Sequence, residues 1–144
     1  MMRLRRILLP FDGSTHAARA VDLVLGLCEG KETDCHVRLV YVMQPFTPTP
    51  EMASLDIDWH AQAEKEGQAI LSEPAARLKE KGIAVDVITA LGDPAQEIIL
   101  QSKDEPTDLI VMGSRGLGRF TELFLGSVSQ KVLHHAQVPV LIAR

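Results

Sequence analysis

The sequence predicts a parallel α/β fold: an open five-stranded parallel sheet with helices packed on both faces. Three observations carry this. Short apolar runs alternate with segments of helical spacing in the order β-α-β-α-β-α-β-α-β, the arrangement that gives a parallel sheet joined by crossover helices. The runs are almost unbroken in apolar character, as strands covered on both faces require. The 144 residues are 46% hydrophobic but only 4% aromatic. Valine, leucine, isoleucine and alanine therefore build the core of one domain spanning residues 1–144.

Each element has its own local reason. Residues 5–11 (RRILLPF) form a short buried strand that stops at Asp12-Gly13. Residues 14–29 set Ala17, Val21, Val24 and Cys28 on one helix face, and Gly30 ends the helix. Residues 35–43 (CHVRLVYVM) are rich in β-branched side chains and make the second strand. Residues 44–56 carry Pro45, Pro48 and Pro50, and a loop without regular structure is expected there. Residues 57–81 are helical, with Ala63, Gly67, Ile70, Leu71 and Leu78 roughly on one side. Pro74 either kinks that helix or marks a restart with Ser72 as its N-cap. Gly82 closes it, and residues 83–91 are the third strand. Asp93 is a good N-cap, Pro94 fits the first helical position, and Gln96 completes a capping box for a helix over 94–103. Residues 107–112 are the fourth strand, 127–136 the last helix and 138–143 the last strand.

Composition narrows the function. A formal charge of −4 argues against a partner bound through a nucleic-acid phosphate backbone, which calls for a basic face. No stretch has the eighteen or so apolar residues of a membrane helix, so neither nucleic acid nor membrane is expected as a partner. The basic start at Arg3, Arg5 and Arg6 precedes an apolar run too short for a signal peptide. A reducing, cytoplasmic setting is expected. Cys28 and Cys35 lack zinc or redox spacing and read as buried thiols.

In an open parallel sheet, ligands bind beyond the C-terminal ends of strands, where strand order reverses. The loops after the first and fourth strands matter most. After the fourth comes Gly113-Ser114-Arg115-Gly116-Leu117-Gly118-Arg119, and Gly126-Ser127 opens the last helix. The spacing is glycine, two residues, glycine, nine residues, glycine-serine. Glycines let backbone N–H groups approach an anion and can take positive φ. A helix N-terminus adds free donors and a favourable dipole. Ser127 brings a hydroxyl, and Arg115 and Arg119 bring charge. Together these make a polyphosphate cradle; the simpler alternative is tight turns and a helix cap. The loop is not a P-loop, which has lysine directly after its second glycine, nor the dinucleotide fingerprint, which follows the first strand. After the first strand comes Pro10-Phe11-Asp12-Gly13-Ser14. Asp12 suits ribose hydroxyls or a magnesium ion, while Asp12 and Ser14 are both also ordinary N-cap choices for the next helix.

These two loops together resemble the universal stress protein family, over essentially the whole chain. The turn Gly92-Asp93-Pro94, the strand end Val111-Met112-Gly113 and the closing Val138-Pro139-Val140-Leu141-Ile142 carry the same likeness. The most specific element, Gly113-x-x-Gly116 with nine residues before Gly126-Ser127, is similar to the mark of that family's ATP-binding branch. The resemblance implies a Rossmann-like, adenine-nucleotide-α-hydrolase-like sheet in the order 3-2-1-4-5. It implies ATP as ligand, with or without Mg2+, and a homodimer joined partly through the last strand, Val138–Ala143. By that similarity Pro10, Asp12, Val42 and Met112 would surround adenine and ribose, Val42 through its backbone. Gly113, Gly116, Gly126, Ser127 and Val128 would hold the phosphates. Arg115 is expected to join them from its place inside the loop, a position that the family's motif does not fix.

Other signals are weaker. His134 and His135 are adjacent on a helix and point about 100° apart, so they do not chelate together. Asp56 and His60 have helical spacing but no third ligand, so no metal site is expected. No catalytic triad assembles. Lys131 is a solvated lysine or a phosphate contact. Three function classes follow: a nucleotide-binding regulatory protein with an unnamed protein partner, a slow ATPase, and a nucleotide-free dimeric scaffold.

Overall fold

The computed structural model describes residues 3–116 and 125–144. The elements run β1 (Arg6–Pro10), α1 (Thr15–Cys28), a 3-10 turn (Glu32–Asp34), β2 (His36–Met43), α2 (Pro50–Ala53) and α3 (Trp59–Glu80). They continue with β3 (Ala84–Leu91), α4 (Pro94–Asp104), β4 (Leu109–Gly113), α5 (Ser127–His135) and β5 (Val140–Ala143). The five strands form one parallel sheet in the order β3-β2-β1-β4-β5. Both the expected alternation and the expected order are present.

Period-two alternation splits the core into two layers. Ile7 and Leu9 of β1, Val37 and Leu39 of β2, and Val111 of β4 pack with α1 and α3. Leu8, Val40, Ile110 and Met112 point the other way, toward Ala95 and Ile98 of α4 and Val132 of α5. Each large aliphatic side chain buried in this way contributes about 1.5–3 kcal/mol. The second layer carries one charge, Arg38, which is buried on β2 and donates through Nη2 to Thr107 Oγ1 at 2.6 Å and Gln101 O at 3.0 Å.

Several boundaries differ from the sequence expectation, each for a physical reason. β4 starts at Leu109 rather than 107, since the Asp108 carboxylate accepts from the Arg5 and Arg6 N–H groups at 3.0 and 2.9 Å. β5 starts at Val140 because Pro139 has no N–H to give the ladder. The segment 44–56 is not wholly irregular. Thr49 caps the short α2 by accepting from Met52 N, and Pro50 sits at its start, where proline is tolerated. The ring of Phe46 meets Trp59 edge-on at 4.8 Å between centroids and ties this segment to α3. Helix α3 is continuous through Pro74, with Asp58 as its N-cap. Ser72 is not a restart cap; its hydroxyl donates to Ala69 O at 3.0 Å. Asp93 caps α4 by accepting from Gln96 N at 3.0 Å, but no reciprocal side-chain bond from Gln96 completes a box among the described residues.

Connections from β1 lead to β2 on one side, and the chain later returns to place β4 on the other. A crevice opens between the loops after β1 and β4, the switch point of this architecture.

Candidate functional site

The ten residues expected to surround the nucleotide, Pro10, Asp12, Val42, Met112, Gly113, Arg115, Gly116, Gly126, Ser127 and Val128, line one cleft of about 490 Å3 at this switch point. Two kinds of wall meet there. The apolar wall comes from side chains on the α4 and α5 face of the sheet, Val40, Val42 and Met112, closed by Pro10 and by Pro94 and Ile98 of α4. The polar wall is backbone-rich: Gly113, Arg115 and Gly116 after β4, then Gly126 and the first residues of α5.

The first turn of α5 supplies donors. Gly126 is the N-cap and makes no side-chain cap bond; its carbonyl accepts from Gln130 N at 3.0 Å. The N–H groups of Ser127, Val128 and Ser129 lie in the turn that has no acceptors inside the helix. They carry the positive end of the helix dipole. Ser127 is exposed, and its hydroxyl makes no hydrogen bond among the described residues. It is therefore not a cap, which sets aside the simpler reading of that serine.

The glycines serve the loop differently from expectation. Positive φ occurs among the described residues only at Gly13, Gly30 and Gly82. At Gly113 and Gly116 the requirement is space. A Cβ on Gly113 would lie 2.7 Å from the His16 carbonyl carbon and 2.9 Å from Ala17 N. A Cβ on Gly116 would lie 2.6 Å from Asp12 Oδ2. Gly126 is less constrained, with its nearest contacts at 3.4 Å to Arg115 Cα and Ser114 O.

Asp12 lies where the two loops approach each other. Ser14, not Asp12, is the N-cap of α1, accepting from Ala17 N at 3.1 Å. Asp12 Oδ1 accepts from Ser14 N at 2.9 Å, and Oδ2 faces Gly116. Tyr41, from the C-terminal part of β2, also borders the cleft. Burial above all, then the carboxylate of Glu66 beside it, pushes its phenol up to about 12, so it remains neutral at ordinary pH. Arg115 is half-buried on the polar wall. Gly118 and Arg119 lie outside the described residues. Lys131 is exposed and is not among the residues bordering the cleft. No group of three or more His, Cys, Asp or Glu that could hold a metal ion occurs among the described residues.

Sequence spacing did not single out Val40, Pro94, Ile98 or Ser129. Two of these follow from periodicity: Val40 lies two residues before Val42 on the same strand face, and Ile98 lies one helical turn after Pro94. Ser129 needs the fold to reveal it.

The architecture and its cleft define the chain as an open parallel α/β protein with a ligand crevice at its strand-order reversal. Comparison with known proteins places it further. The model of the universal stress protein family matches residues 3–144, and the chain belongs to that family. It is 32% identical to the universal stress protein YxiE of Bacillus subtilis, over 96% of this chain and 98% of that one. The solved structure of the hypothetical protein MJ0577, a Methanocaldococcus jannaschii universal stress protein, superposes with a TM-score of 0.83 at 28% identity, covering 99% and 96% of the two chains. A universal stress protein family member from Arabidopsis thaliana, solved with AMP bound, has a TM-score of 0.70 at 23% identity, covering 96% and 90%. No helix among the described residues is long and apolar enough to cross a membrane.

Proposed function

We propose that this chain binds an adenine nucleotide, ATP first among them, as a regulatory ligand in the switch-point cleft, and does so as a homodimer. One observation carries the reading: an apolar slot and a donor-rich loop open into the same 490 Å3 space. A flat apolar base fits the first and a chain of phosphates fits the second. In this reading Pro10, Val42 and Met112 flank the base. Asp12 takes the ribose hydroxyls. Gly113, Arg115, Gly116, Gly126, Ser127 and Val128 hold the phosphates. AMP in the Arabidopsis relative supports the ligand class. The reading sets the protein in the cytoplasm, which two buried free thiols, Cys28 and Cys35, fit.

Asp12 is the one carboxylate among the described residues bordering the cleft. A magnesium ion arriving with ATP would be held mainly by phosphate oxygens and water. Hydrolysis needs a positioned water and a group to orient it. This reading assigns Asp12 to the ribose and leaves no other acid among the described lining residues to orient that water, so it takes binding rather than turnover as the primary activity. Phosphate release measured with wild type and Asp12→Ala separates the two.

The decisive test is calorimetric titration with ATP, alongside mass spectrometry of the small molecule that co-purifies. Gly116→Val puts a branched side chain where a single Cβ already meets Asp12 at 2.6 Å, and ATP affinity should fall at least about tenfold. Wild type that ignores ATP, or a variant that binds it equally well, sinks the reading.

A further inference from the structure

A cradle of backbone donors binds tightly only when the donors are already aimed. Glycine-rich chain resists such aiming, since each glycine retains more conformational freedom than any other residue. Something must therefore fix Gly113 and Gly126, the two ends of the loop, relative to one another. Four hydrogen bonds converge to do so, and Ser114 makes three of them. Its N–H donates to Ala143 O at 2.7 Å, which anchors the loop to β5. Its carbonyl accepts from Gly126 N at 2.6 Å, which draws the far end of the loop back to the near end. Its hydroxyl lies 3.0 Å from His16 Nδ1, which joins the loop to the first turn of α1. The fourth bond runs from Ser129 Oγ to Gly113 O at 2.8 Å and fastens the first turn of α5 to the end of β4.

Ser114 is only 2% exposed and does not border the cleft. A buried hydroxyl spent on a histidine 98 residues earlier in the chain is not required by the β4 strand or by the α5 helix. We infer that the Ser114–His16 pair is a positioning device for the phosphate end of the cleft. It sets the angle at which the N–H groups of Ser127, Val128 and Ser129 meet a polyphosphate, and it leaves the base slot alone. The inference rests on the nucleotide reading above and names the residues that make its affinity depend on phosphate number.

The test compares ATP, AMP and adenosine on the full-length protein, by calorimetry, with thermal unfolding recorded for each variant. Ser114→Ala should weaken ATP about tenfold and AMP less, with adenosine unchanged. His16→Ala, at a half-buried helix position, should reproduce that graded loss, and the double variant should be no worse than either single one, since both remove the same bond. His16→Asn, which keeps a hydrogen-bonding side chain there, should recover most of the ATP affinity. Equal losses for ATP and adenosine would mean a general structural role and overturn the inference, as would unchanged ATP binding in both single variants. Because His16→Ala reports independently, a Ser114→Ala variant that fails to fold leaves the question decidable. Wild type that binds adenosine but gains nothing from phosphates overturns the positioning role and the phosphate cradle, and leaves the base slot standing. Wild type that binds none of the three overturns the nucleotide reading and this inference with it.

Discussion

One methyl group separates the two ends of the glycine-rich loop. At Gly113 it would press within 2.9 Å of the α1 backbone at His16 and Ala17, and backbone cannot swing aside as a side chain can. At Gly126 it would meet nothing nearer than 3.4 Å, and the residue's φ of −68° suits any amino acid. Gly113→Ala should therefore cost about 1–3 kcal/mol of stability, whereas Gly126→Ala should cost under about 1 kcal/mol, the difference between glycine and alanine at an N-cap. Urea denaturation measures both, and equal costs would contradict the packing described. This contrast shows what the sequence could and could not convey. The spacing of Gly113, Gly116 and Gly126 is local and stands out in the chain. The reason for it is not local, because the obstructing atoms belong to His16, Ala17 and Asp12, about a hundred residues away. Positive φ was one local reason to expect glycine, and at Gly113 and Gly116 the neighbours, not the torsions, select it.

Among the elements, the strands were legible because period-two burial and β-branched composition are properties of the strand itself. Boundaries set by distant partners were not: Asp108 ends the approach to β4 by accepting from Arg5 and Arg6. The junction between α1 and β2 shows a similar long-range effect on chemistry. Cys28, the last residue of α1, is fully buried. Burial first, then the neighbouring Cys35 thiol, push its thiol up from an ordinary 9.0 to about 12. Below pH 9.0 the thiol is protonated in both folded and unfolded chains, so its full contribution to stability is present. Above that, the unfolded chain ionises first, and stability is lost as pH rises toward 12. The slope is at most about 1.4 kcal/mol per pH unit. Tyr41 adds a second alkaline loss, but only above its ordinary value of 10.0, so between about pH 9 and 10 the loss due to Cys28 is present without that of Tyr41. Urea unfolding across that interval should show falling stability in wild type and a flatter profile in Cys28→Ala, whatever the variant's absolute stability. A wild-type profile that is already flat there would contradict this assignment.

The whole molecule presents two sheet edges, and they are not equivalent. Strand β3 is eight residues long and carries Asp86, whose carboxylate pairs with His36 on β2 at 2.8 Å. A charge on an edge strand discourages pairing with another chain. Strand β5 is four residues, Val140–Ala143, with no charge, and Leu141 is 37% exposed. If a second copy docks edge to edge, β5 is the edge that accepts it, and closed two-fold pairing is the usual result. That edge is one hydrogen bond from Ser114, which ties the two ends of the cradle loop, because Ala143 O accepts from Ser114 N at 2.7 Å. Stiffening β5 across a dimer interface would hold Ser114, and with it the donors of the cradle. Binding free energies couple reciprocally, so ATP should tighten the dimer by the same factor that dimerisation tightens ATP. Sedimentation equilibrium with and without ATP, on wild type and on Leu141→Arg, tests both halves. Wild type should sediment as a dimer held more firmly by ATP, and Leu141→Arg should sediment as a monomer that binds ATP less tightly. A monomeric wild type would remove the dimer. A Leu141→Arg variant that is monomeric yet binds ATP with wild-type affinity would leave the dimer standing and cut its link to the cleft.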